Sequence, residues 1–208
     1  MVAPFRVRPF RSLFAVLIVN GVASAIPATL FLFFVADRLQ LAAYSGLFLI
    51  VYFGAAAFSI PAWVAGAARF GEARSWIAGM LLSACVFVWA FGLAPGAGVA
   101  YGVICLLSGL VLGADLALPP ALLAGVIAAA GHSGKREAAY FGLWNWGVQM
   151  TLALAAGIAL PLLAWLGYTP GMTAASDTGG LVAAYALLPC LLKLIAAAML
   201  WRAPLRNC

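Results

Sequence analysis

Six polar or charged side chains stand inside long apolar stretches of this sequence: Asn20, Asp115, Asn145, Gln149, Thr151 and Lys193. In hydrocarbon such groups are costly, so they face a bundle interior or a water-filled cavity and are the first candidates for function. Asn145 and Gln149 are four residues apart, which puts both on one face of a helix. Together they can offer hydrogen bonds to a cluster of sugar hydroxyls. Trp144 and Trp146 flank Asn145, placed either to stack on a sugar face or to pack against lipid and neighbouring helices. Asp115 is expected in a turn at Gly113-Ala114-Asp115, ahead of Pro119-Pro120, where its carboxylate can accept from unwound backbone or neutralise a lysine. Lys193 has two options, pairing with Asp115 or bending its stem toward the headgroups, and the second is expected. The candidate substrate-binding set is Asn145, Gln149, Asp115, Asn20 and Trp144.

Other chemistries find little support. His132 is the single histidine and falls in a polar connection, so there is no histidine triad or histidine-rich metal cluster. No glycine-rich phosphate loop follows a strand, and no Ser/His or Cys/His set lies in the spans. No enzyme activity, cofactor or metal site is expected. Cys85, Cys105, Cys190 and Cys208 show no paired spacing, and the first three fall in apolar runs, where they pack as small hydrophobes. The net charge of +6 is spread over short connections rather than gathered on a basic face, so no nucleic-acid partner is indicated.

The elements that must carry these residues follow from composition. Of 208 residues, 67% are hydrophobic and 8% charged, against about 25% charged in soluble domains. The apolar runs match the ~20 residues that a helix needs to cross a bilayer, so lipid is the first partner. Six spans are predicted: Phe10 to Val35, Tyr44 to Gly66, Ser75 to Leu93, Ala97 to Leu123, Ala139 to Leu166 and Leu181 to Trp201. Backbone groups in lipid must be satisfied internally and the pattern is wrong for barrel strands, so the fold class is all-α, a single polytopic bundle over residues 1–208. A cleaved leader ending near Ala23-Ser24-Ala25 is set aside, because the apolar run continues to Val35 and no soluble domain follows.

Orientation is read from the basic residues. Arg6, Arg8, Arg11, Arg69, Arg74, Lys135, Arg136, Arg202 and Arg206 fall on one side and only Arg38 on the other. The richer side is cytoplasmic, so both termini are expected inside a bacterial-type inner membrane. Pro27, Pro61, Pro119, Pro120 and Pro161, with Gly21, Gly54, Gly109, Gly113 and Gly157, are expected to interrupt the spans. Such breaks are tolerated where helices approach closely or line a cavity.

Several strings carry a resemblance: Pro9-Phe10-Arg11 opening the first span, Trp63 to Arg74 (WVAGAARFGEAR), Gly113 to Ala124 (GADLALPPALLA) and Glu137 to Trp146 (EAAYFGLWNW). Together they resemble the C-terminal six-span half of the glycoside-pentoside-hexuronide:cation symporters, the melibiose permease-like branch of the major facilitator superfamily. The likeness runs from about Pro9 to Tyr168. It implies a half built from two inverted three-helix repeats, and it makes Trp63 to Arg74 a cytoplasmic loop. It also implies that the sodium- or proton-binding acidic residues and most sugar contacts lie in an N-terminal half outside this chain. Where the family carries acidic residues after the double proline, this chain has Gly125, Ala128 and Ala129. The family's cavity-lining lysine aligns with Gln149, which keeps hydrogen-bonding capacity and loses the charge.

The resulting expectation is half of a sugar:cation symporter, working by alternating access with a separate N-terminal half on a small sugar or glycoside. Two alternatives stand beside it: a non-transporting remnant or partner-binding bundle, and a homodimeric transporter in which a second copy replaces the missing half.

Overall fold

The computed structural model describes residues 4–169, 171 and 179–204; Arg206 and Cys208 lie outside them. Within the described residues the chain is all-helical, with six helical spans long and apolar enough to cross a membrane: α1 (Arg8–Arg38), α2 (Ala42–Phe70), α3 (Glu72–Gly92), α4 (Gly98–Ala129), α5 (Glu137–Trp165) and α6 (Gly179–Arg202). The expected spans agree at most ends to within a few residues. The clearest difference is α4, which runs on past Leu123 to Ala129. Pro119 and Pro120 do not end it. Proline removes a donor and crowds the preceding turn, yet α4 accommodates both, as α1, α2 and α5 accommodate Pro27, Pro61 and Pro161. The expected breaks are therefore absent from these helices, and Asp115 sits in helix rather than in a turn. Wider π turns do occur at Phe34–Arg38 in α1 and at Ala183–Leu187 in α6, the latter just ahead of Pro189.

The connections are short. A single residue, Gly71, separates α2 from α3, and its φ of +90° is open to glycine without strain. The expected loop from Trp63 to Arg74 is thus mostly helix, with Arg69 and Arg74 on the facing helix ends and the Arg69 guanidinium over the Phe70 ring at 5.9 Å. Between α4 and α5, the His132 Nδ1 pairs with the Tyr140 hydroxyl at 2.8 Å, so the histidine is half-buried rather than freely solvated.

Packing follows a repeating scheme. α1 lies along α5 and α6, α4 lies along α2 and α3, and α3 meets α6. Exchanging α1, α2 and α3 for α4, α5 and α6 maps the α1 pairings onto the α4 pairings and the α3–α6 contact onto itself. Because α1 and α4 cross in opposite senses, this is the pattern of two inverted three-helix repeats.

The tightest seam joins α2 and α4, and glycine makes it possible. A Cβ at Gly109 would land on the Tyr52 carbonyl oxygen, and one at Gly113 on the Ser59 hydroxyl and within 3.1 Å of the Ala56 carbonyl. The spacing Gly109-xxx-Gly113 is the small-residue stripe that lets helices approach in lipid. Trp63 Nε1 seals the same seam by donating to the Leu110 carbonyl at 2.7 Å. Gly21 serves α1 and α5 likewise, since a Cβ there would come within 2.6 Å of Thr151 Cγ2.

Two apolar clusters hold the ends of the bundle. One gathers Phe34, Tyr101 and Tyr185, with the Phe34 and Tyr185 rings stacked at 4.0 Å. The other gathers Phe10, Trp76, Met80, Tyr140 and Trp144. Asn20 and Lys193 fall between the two clusters along α1 and α6.

Candidate functional site

Asp115, near the middle of α4, is the hub. Its Oδ1 accepts from Asn20 Nδ2 of α1 at 3.1 Å and from Trp76 Nε1 of α3 at 2.8 Å. Its Oδ2 takes an ion pair from Lys193 Nζ of α6 and a longer contact from Ser24 Oγ at 3.4 Å. One carboxylate thus ties four helices together. Its four acceptor sites are filled, which is the condition for keeping a charge out of water.

Lys193 is 5% exposed. Its stem does not run to the headgroups as expected, because the Asp115 carboxylate lies within reach and takes the ammonium as an ion pair. Asn20 is equally buried, and the orientation of its amide is fixed because a carboxylate can only accept. This leaves Asn20 Oδ1 buried with no partner among the described residues.

Beside the hub a cavity of about 350 Å³ extends between α1, α2, α3, α4 and α6. Asp115, Lys193 and Ser24 stand at one end; Phe31, Leu32 and Phe87 line it farther on. Tyr101 and Tyr185 also line it, their hydroxyls joined at 2.7 Å.

The remaining candidates do not converge here. Asn145 and Gln149 do share one face of α5, and that face is exposed on the outside of the bundle, away from Asp115. Trp144 points the other way and is 7% exposed, packed with the Phe10 and Tyr140 cluster. That places Trp144 in the core, with Trp146 the exposed one of the pair. Thr151 is buried against Gly21, its hydroxyl donating to the Val148 carbonyl at 2.7 Å. The structure therefore divides the polar residues into an interior set tied together by hydrogen bonds, Asn20, Asp115 and Lys193, a separately buried Thr151, and an exterior pair.

Trp76 and the tyrosines of the cavity were not singled out from the sequence. A Trp or Tyr in mid-span carries a polar tip that needs a partner, and that signal was available. It could not be followed, because aromatic residues are common throughout such helices.

A family model described as MFS/sugar transport protein matches residues 2–207. The chain belongs to the MFS/sugar transport protein family. No curated protein matches it. Members of the MFS/sugar transport protein family are transporters rather than enzymes, so this is an integral membrane protein of a transport family. The inverted packing of its helices is the arrangement used by such transporters.

Proposed function

We propose that this chain is the C-terminal half of a melibiose permease-like sugar:cation symporter and works by alternating access against a second six-helix half. The observation that carries this reading is the exposed Asn145–Gln149 pair. α2 and α5 are the least covered of the six spans. Two amides on such a face are unfavourable against lipid, and they suit one wall of an aqueous pathway whose other wall is a partner. A small sugar or glycoside, held in part by Asn145 and Gln149, is the substrate class. Sodium ion or proton would be the coupling species, bound by acidic residues of the partner half. Both termini would lie on the cytoplasmic side of a bacterial-type inner membrane.

The test is uptake of radiolabelled sugar in transport-deficient cells. Expression of this chain with a six-span partner carrying intramembrane carboxylates is expected to give uptake that the chain alone does not. Uptake by the chain alone would replace this reading with a homodimeric transporter. Absence of uptake in every pairing, with the protein in the membrane, would mean a non-transporting bundle.

A further inference from the structure

The cavity beside Asp115 lies inside this six-helix unit, whereas the exposed amides of α5 lie outside it, so the two features are separate. At about 350 Å³ the cavity falls in the range of small-molecule sites, ~300–1,000 Å³. Among the described residues its charged lining is Asp115 and Lys193, which neutralise each other. A charged occupant would therefore meet no net complement, and a neutral one meets no opposition.

The open hydrogen-bonding capacity at the charged end comes from Lys193 and Tyr52. Lys193 Nζ carries three donors and Asp115 engages one. Tyr52 lines the cavity, and its hydroxyl has no hydrogen-bond partner among the described residues. The Tyr101 and Tyr185 hydroxyls, bonded to each other at 2.7 Å, belong to the far end, among the rings of Phe31, Phe34 and Phe87. Along α1 the lining changes from Ser24 to Leu32, about 12 Å farther at ~1.5 Å per residue. The bundle is open between α1 and α2, where Leu32 and Phe53 are 62% and 58% exposed. The site is thus polar and hydrogen-bonding within, apolar and aromatic toward its mouth.

We propose that this cavity binds a neutral amphiphile, a glycoside whose hydroxylated ring sits against Lys193 and Tyr52 and whose apolar group lies toward the mouth between α1 and α2. This rests on the sugar-transport reading and refines its substrate class. The same chemistry is offered by a soluble aryl or alkyl glycoside and by the headgroup and chains of a neutral glycolipid.

The test uses the full chain in phosphatidylcholine nanodiscs and a hexyl β-glucoside carrying a diazirine at the end of its alkyl chain. Photolabelling followed by peptide mapping is expected to mark Leu32, Leu49 or Phe53. Excess phenyl β-glucoside should suppress the labelling, and excess hexanol should not. Competition by phenyl glucoside identifies a soluble occupant; competition only by a glucosyl diacylglycerol built into the disc identifies a lipid one. Tyr52→Phe, which removes a single unpartnered hydroxyl, should weaken competition about fivefold, the value of one hydrogen bond. Labelling spread over the outer belt, at residues such as Phe58 and Trp165, or suppressed equally by hexanol, would overturn the proposal. Uptake with a partner half but no cavity labelling would overturn it alone, leaving the transport reading in place. Labelling without uptake in any pairing would leave the cavity site and remove the transport reading.

Discussion

Removing one side of the Asp115–Lys193 pair should be far worse than removing both. In Lys193→Met the long stem is replaced by an apolar one of similar length, and the Asp115 charge keeps only three neutral donors, from Asn20, Trp76 and Ser24. Stranding one charge of a buried pair costs about 3–5 kcal/mol, whereas replacing the whole pair by apolar residues of similar volume is neutral to stabilising. Asp115→Leu goes further than Lys193→Met, because it leaves the ammonium, the Asn20 amide and the Trp76 indole without their acceptor, the two neutral donors adding about 1–3 kcal/mol each. At roughly 2–4 °C per kcal/mol for a chain of this size, Lys193→Met should lower the melting midpoint by roughly 6–20 °C and Asp115→Leu by more. The double variant should recover much of the loss even though Asn20 and Trp76 stay unpaired. The assay is thermal inactivation of the monodisperse peak in nanodiscs, read by fluorescence-detected size exclusion. If Lys193→Met melts with the native chain, or the double variant is no better than the worse single one, the hub does not hold the helices as argued.

Further outcomes follow from other parts of the structure. Gly113→Ala should lower stability by about 1–3 kcal/mol by overpacking the α2–α4 seam against Ser59, whereas Gly142→Ala, with open space around it, should be neutral or gain up to ~1 kcal/mol from helix propensity; thermal midpoints compare them. Leucine at both Asn145 and Gln149 should leave the midpoint of the chain unchanged and abolish uptake with a partner half, a split measured on one preparation. The Tyr168 hydroxyl, just beyond α5, donates to the Asp37 carboxylate, and burial first, then that bond and charge, push its ionisation above the usual tyrosine range. The folded state then holds a proton that the unfolded state releases from about pH 10. The contribution is complete below that pH and is lost as pH rises toward the folded value. Native protein should therefore lose stability between pH 9 and 11 by more than Tyr168→Phe does, in parallel thermal scans. A fluorescent protein fused after the last span should fold and fluoresce in cells, as a cytoplasmic C-terminus requires; a dark, full-length fusion would reverse the assigned orientation.

Composition and spacing by themselves determined that the chain is all-helical, that it has six spans, and where most of them begin and end. The physical reason is that lipid allows one solution to an unbroken apolar run, a helix with its backbone satisfied internally. The same reasoning singled out Asn20, Asp115 and Lys193 as residues whose polarity demands partners. It could not choose between pairing and snorkelling for Lys193, because both satisfy an ammonium and the choice turns on the depth of a carboxylate 78 residues away in sequence. Proline was read as a break because the sequence shows the missing donor and not the neighbouring helices, and α4 passes through Pro119 and Pro120 without ending. Helical spacing put Asn145 and Gln149 on one face, but not which way that face turns. Only the packing of α5 on α1 decided that they look outward while Trp144 looks in. The cavity is likewise a product of tertiary structure: its lining comes from five helices, and no local pattern along any one of them records where the others leave space.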